Sequence, residues 1–136
     1  MKGYFFLFLT ISLILAGCSS DVKKEIAKKH EEYLSSSGWH VESKTSDEIK
    51  TINYYPESLE SLKIAGLDLE PYQGKEVKII TYLLKEGQTN GDKMSASIYE
   101  MDNEIIGGHG ILENWSPGLF SLEDRKRLIE EGITQP

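Results

Sequence analysis

Hydrophobic positions change their spacing several times along this chain, and each change marks an element. Tyr4 to Leu15 is almost wholly apolar, broken only by Thr10 and Ser12. After it the pattern turns amphipathic. Val22, Ile26, His30, Tyr33 and Leu34 recur 4, 8, 11 and 12 residues from the first, which is one face of a helix. Asp21 is placed to cap that helix. Ser35-Ser36-Ser37-Gly38 ends it, with Gly38 able to turn left-handed.

Strand-like alternation follows. Trp39 to Lys44 and Glu48 to Tyr55 read as two strands joined by a turn at Thr45-Ser46-Asp47, an N-terminal hairpin. Pro56 suits the first position of a short helix that buries Leu59, Leu62 and Ala65 and closes at Gly66. Leu67 to Gly74 is a loop. Glu76 to Lys85 is apolar on both faces, as a strand covered on both sides would be. Asn90-Gly91, between apolar-rich runs, signals a hairpin. Lys93 to Met101 then sets Met94, Ala96 and Ile98 on one face and Ser95, Ser97 and Tyr99 on the other. Asp102-Asn103 turns the chain into Glu104 to Leu112, completing a three-stranded meander. Asn114 to Leu119 is irregular. Ser121 caps a last helix carrying Leu122, Leu128 and Ile129, Gly132 ends it, and Gln135-Pro136 is frayed.

This order predicts one small α+β domain over residues 22–136. Its antiparallel sheet combines the C-terminal three-stranded meander with the N-terminal hairpin. The N-terminal helix and the short helices pack mainly on one face.

The apolar run before this domain is too short to span a membrane, which takes about 20 apolar residues. With Lys2 before it and small residues after it, it has the layout of a secretory leader. Leu15-Ala16-Gly17-Cys18 closes the run and contains the only cysteine. These four residues resemble the lipobox of bacterial lipoprotein precursors. The resemblance implies a signal peptide over 1–17 whose peptidase reads Leu15, Ala16 and Gly17. It also implies a diacylglyceryl group on the Cys18 thiol and a short tether over 18–21. An exported chain with one unpaired cysteine needs a reason for it, and acylation supplies one. Two acyl chains hold a protein firmly at a membrane where one does not.

Composition sharpens this picture. Loss of residues 1–17 leaves 119 of 136 residues, enough for one core. It removes one cation, Lys2, so the net charge moves from −7 to −8. An acidic chain lacks the basic footprint that nucleic acid requires. Lys23, Lys24, Lys28 and Lys29 nevertheless cluster after the anchor. Near anionic headgroups such lysines gain about 1 kcal/mol each, weakened here by Glu25, Glu31 and Glu32.

No catalytic set is legible. His30, His40 and His109 are the three histidines, and none has the ligand spacing of a zinc site. Asp68, Glu70, Asp92, Asp102 and Glu104 are loop carboxylates that do not follow a calcium-loop pattern. The serines lack a nucleophile-elbow context, and there is no phosphate-binding glycine loop. His109 lies in Gly107-Gly108-His109-Gly110, where glycines admit a bulge, a neighbouring backbone or a ligand. Tyr72, Gly107, Gly108, His109 and Trp115 are therefore the candidate binding surface, aromatics being enriched at interfaces. No cofactor or metal is expected.

Beyond the leader, Tyr33-Leu34, Gly38-Trp39, Val41, Gly66-Leu67-Asp68-Leu69, Tyr72, Gly74-Lys75, Ile106-Gly107-Gly108 and Gly118 resemble a group of small exported proteins of low-GC Gram-positive bacteria. Their shared region, about His30 to Gly118 here, is classed as a domain of unknown function. The resemblance implies export and a single domain, and brings no activity. The expectation is a lipid-anchored extracytoplasmic protein without enzymatic activity, which binds or modulates an envelope protein. The alternative is a small-ligand or metal receptor with its cleft between Gly107–Gly110 and the Gly66–Gly74 loop. A small hydrolase ranks third.

Overall fold

The computed structural model describes residues 26–136. The residues read as a lipobox and tether, 15–21, and the expected cap Asp21 lie outside the described residues, and the described helix begins only at Lys28, after an extended Ala27. Among those that are described, no helix is long and apolar enough to cross a membrane.

Five strands form one antiparallel sheet in the order β1-β2-β3-β4-β5, each paired with its neighbour in sequence. They are β1 (Val41–Thr51), β2 (Glu76–Gly87), β3 (Lys93–Met101), β4 (Glu104–Leu112) and the two-residue β5 (Leu119–Phe120). Helix α1 (Lys28–Ser35) precedes the sheet, α2 (Pro56–Ile64) follows β1, and α3 (Arg125–Glu130) ends the chain after a short 3₁₀ turn at Leu122–Asp124.

Helix α1 stops where the sequence indicates. Gly38 has φ +87°, and Trp39 N–H returns to the Leu34 carbonyl at 3.0 Å. The meander forms as expected, and Asp102 and Asn103 take φ values of 52° and 63° in the tight β3–β4 turn.

Two expectations are corrected. The hairpin over Trp39–Tyr55 is a single long strand, β1. Its register with β2 shifts between Val41 and Ser43 and again between Lys44 and Ser46. Thr45-Ser46-Asp47 contains no glycine or Asn-Gly to reverse the chain, whereas the 12-residue β2 offers a long edge to pair. The polar triplet is absorbed as a bulge, with Thr45 Oγ1 donating to the Thr81 carbonyl at 3.1 Å. The helices also do not share one face. Ile80, Tyr82, Met94, Ala96 and Ile98 pack beneath α1 and α3, whereas Val77, Ile79 and Tyr99 pack against α2 and the Leu67–Leu69 loop. Because β2 is apolar at consecutive positions, each of its faces demands a cover, and the short helices are divided between them. The C-terminal end is also tied down: Thr134 bridges Gln88, and its hydroxyl donates to the Gly87 carbonyl at 2.7 Å.

Candidate functional site

The first turn of α1 lays two consecutive side chains on the sheet. Lys29 Nζ donates to Glu100 Oε2 at 3.0 Å and to the Asn103 carbonyl at 2.8 Å. His30, 3% exposed, hydrogen-bonds through Nε2 to the other oxygen of Glu100 and through Nδ1 to the Tyr82 hydroxyl at 2.5 Å. A carboxylate only accepts, so the ring proton resides on Nε2 and Tyr82 donates to Nδ1. Tyr82 and Glu100 can reach α1 together because they alternate onto the same face of β2 and β3 as Ile80 and Ile98.

The charges follow from this packing. Burial pushes the Glu100 carboxyl up, but hydrogen bonds from Lys29 and His30 outweigh it and hold the pKa below the ordinary value. Burial pulls His30 below its ordinary value, against the pull of Glu100, so the ring is neutral at neutral pH. Burial raises Tyr82 to about 12, which keeps it a donor.

An open cleft of about 520 Å³ adjoins this network. Ile80 and Tyr82 contribute to its lining, and Lys28, Lys44, Asp47 and Lys78 add charge. The β1 bulge makes it. Residues three apart in a regular strand face opposite ways, but the shift at Thr45 puts Lys44 opposite Tyr82 and Asp47 opposite Ile80, on one face. Lys44 Nζ then meets Asp47 Oδ2 at 2.5 Å, and Lys78 Nζ approaches the same oxygen at 3.7 Å. The hydrogen bond from Lys44 and the nearby Lys78 hold the Asp47 pKa below the ordinary range. Two ammonium groups share one carboxylate, leaving a local excess of positive charge in a chain of net −7.

The sequence-derived candidates lie elsewhere. Gly107 and the Gly66–Gly74 loop do meet, but Leu67 fills the space between them: a Cβ on Gly107 would lie 2.6 Å from Leu67 Cδ1. A Cβ on Gly108 would lie 2.7 Å from the Ser97 carbonyl oxygen. His109 is 3% exposed; Nδ1–H donates to the Gly110 carbonyl at 3.1 Å and Nε2 faces the Tyr99 hydroxyl at 3.3 Å. Burial lowers the His109 pKa and raises that of Tyr99. Ser97 stands opposite His109 in the β3–β4 register, yet its hydroxyl bonds to Thr81 at 2.7 Å, not to the imidazole. Tyr72 is half-buried against the second core, and Trp115, half exposed, donates Nε1–H to Gln88 Oε1 at 2.9 Å. None of the five lines the lysine-rimmed cleft. Leu15, Ala16, Gly17 and Cys18 lie outside the described residues.

Sequence reasoning placed His30 on a packed face but missed its partners. A signal was present: Glu100 extends the inward series Met94, Ala96, Ile98, and a carboxylate on a buried face requires a cation or donors. Among the described residues, no group of three or more His, Cys, Asp or Glu is arranged to hold a metal ion.

Fold and site together define a small α+β domain with polar networks on both sheet faces and a basic cleft where α1 begins. The chain belongs to the DUF4830 family, a domain of unknown function, which it matches over residues 20–109. The match begins ten residues before the resembling region read from the sequence and stops at His109, so β5 and α3 lie beyond it. No curated protein and no solved structure gives a significant match.

Proposed function

We propose that this protein is a lipoprotein of the cell envelope, held at the extracytoplasmic face by a diacylglyceryl group on Cys18, and that it acts by binding. The single observation that carries the reading is Leu15-Ala16-Gly17-Cys18 at the end of an apolar run. Binding without catalysis is supported by the hydrogen bonding of the histidines. His30, His40 and His109 are engaged by carboxylates, tyrosines or a backbone carbonyl, and among the described residues none is bonded to a serine hydroxyl. The partner is an envelope component, not nucleic acid.

Fractionation of cells making wild type or Cys18→Ala tests the anchor. Wild type is expected in the membrane fraction, labelled by palmitate and shortened by the leader. The variant is expected to lose both label and processing. A variant that stays processed and membrane-bound defeats the reading.

A further inference from the structure

We infer that the cleft between α1 and β1 is the face this domain turns toward the bilayer, and that Lys44 and Lys78 receive the phosphate of an anionic phospholipid headgroup there. The inference rests on the lipid-anchored reading and adds to it an orientation and a ligand class. Three observations converge on this face.

The first is charge. Lys44 and Lys78 share the single carboxylate of Asp47, so the array lacks one anion, while Lys29 is already matched by Glu100 and Lys28 by Glu32. A phosphate oxygen between the two ammonium groups supplies the missing charge. The second is an apolar contact next to the cleft, on β1 across from Lys78. Ile49 is 68% exposed and is the direct cross-strand partner of Lys78. An exposed isoleucine beside lysines suits a surface that meets acyl chains just below the headgroups.

The third is attachment. Ile26, the first described residue, lines this cleft. Cys18 stands eight residues earlier, so a fully extended chain reaches at most about 29 Å from anchor to cleft. Asp21 and Glu25 balance Lys23 and Lys24 in that stretch, so the tether contributes reach and no net charge. Glu76 and Asp102 line the neighbouring recess, which Ile49 and Lys78 also border, and repel a phosphate there. The headgroup therefore enters from the α1 side, past Lys28.

The test uses the full acylated protein, purified in detergent and reconstituted into vesicles of phosphatidylcholine alone or of phosphatidylcholine with phosphatidylglycerol. Acetylation rates of single lysines are read by mass spectrometry. Phosphatidylglycerol is expected to slow Lys44 and Lys78 several-fold, and to leave Lys63 on α2 and Lys126 on α3 unchanged. High salt should reverse the protection. In a Lys44→Gln variant the protection of Lys78 should weaken.

Inorganic phosphate added to phosphatidylcholine vesicles separates the two sources of the anion. Equal protection by free phosphate overturns the headgroup assignment, and no protection in either arm overturns the cleft as an anion site. Intact mass of the same sample reports the state of Cys18. An unmodified Cys18 refutes the lipoprotein reading; a modified Cys18 with unprotected lysines refutes only this inference.

Discussion

Gly110→Ala separates a glycine kept for packing from one kept for a ligand. The backbone of Gly110 lies outside the left-handed region, so an alanine meets no conformational strain. Its Cβ would fall 2.1, 2.2 and 2.4 Å from Cζ, Cε2 and Cε1 of Phe120. Carbon atoms in contact sit about 3.5–4.0 Å apart, so the ring must retreat by more than ~1 Å. It has nowhere easy to go. Phe120 is 3% exposed and lies 5.4 Å, centroid to centroid, from Trp39, whose indole N–H is fixed to the Leu122 carbonyl at 2.8 Å. Overpacking of a filled core costs about 1–3 kcal/mol, and the depth of this clash puts Gly110→Ala near the upper end.

The clashing atoms are the three at the tip of the ring, which leucine lacks. In a Phe120→Leu background the same alanine should cost less than about 1 kcal/mol, giving a coupling of roughly 2 kcal/mol in the double-mutant cycle. Urea unfolding followed by tryptophan fluorescence measures all four proteins. A Gly110→Ala protein within about 0.5 kcal/mol of wild type, or an equal loss in both backgrounds, refutes the packing explanation.

Glu100→Gln removes the charge to which Lys29 and His30 point and should destabilise by about 1–3 kcal/mol; a loss below about 0.5 would mean that the network is not stabilising. Acid should also weaken the fold. Burial holds His30 below its ordinary 6.5, so the unfolded chain takes up the proton first, and stability falls as pH drops through 6.5. Glu100, held below its ordinary 4.5, adds a further loss below that pH. Urea midpoints of wild type that do not decline from pH 7 to 5 relative to His30→Gln would contradict this sign. Gln88, 7% exposed, donates to the Lys93 and Glu113 carbonyls at 3.0 and 2.9 Å and accepts from Trp115. Gln88→Ala should cost about 1–3 kcal/mol and shift Trp115 emission, whereas unchanged emission would show that the bond is absent in solution. Asn103→Gly should be neutral or stabilising and Asn103→Val destabilising by about 1–2 kcal/mol, because the turn needs φ of 63° there; equal thermal midpoints would refute the turn assignment.

The basic cleft and the buried His30–Glu100 network stand on the same sheet face, built from the same alternation. Lys78, Ile80 and Tyr82 run along β2, with Lys44, Asp47 and Ile49 on one side and Ala96, Ile98 and Glu100 on the other. Ile80, Tyr82, Ala96, Ile98 and Glu100 bury under α1, whereas Lys78 and Ile49 emerge beyond its start. Position along the strand thus decides whether a side chain serves the core or the cleft.

Local rules in the sequence determined the meander, α2 with its proline start, the stop of α1 at Gly38 and the inward series of β3. Each depends on near neighbours: a period of two, an Asn-Gly turn, a glycine free to take positive φ. The proposal of a lipobox at Leu15-Ala16-Gly17-Cys18 rests on the same kind of reading, from four adjacent residues. The tertiary structure alone decided that Thr45-Ser46-Asp47 bulges instead of turning, because the outcome depended on the length of β2, 30 residues away and more. It alone placed helices on both faces, since helical periodicity does not say which surface a helix will cover. It alone joined His30 to Glu100 and Lys78 to Asp47, because a charge partner on another element is set by packing and register and not by spacing along the chain, and it alone brought Lys44 to Asp47, through the bulge between them.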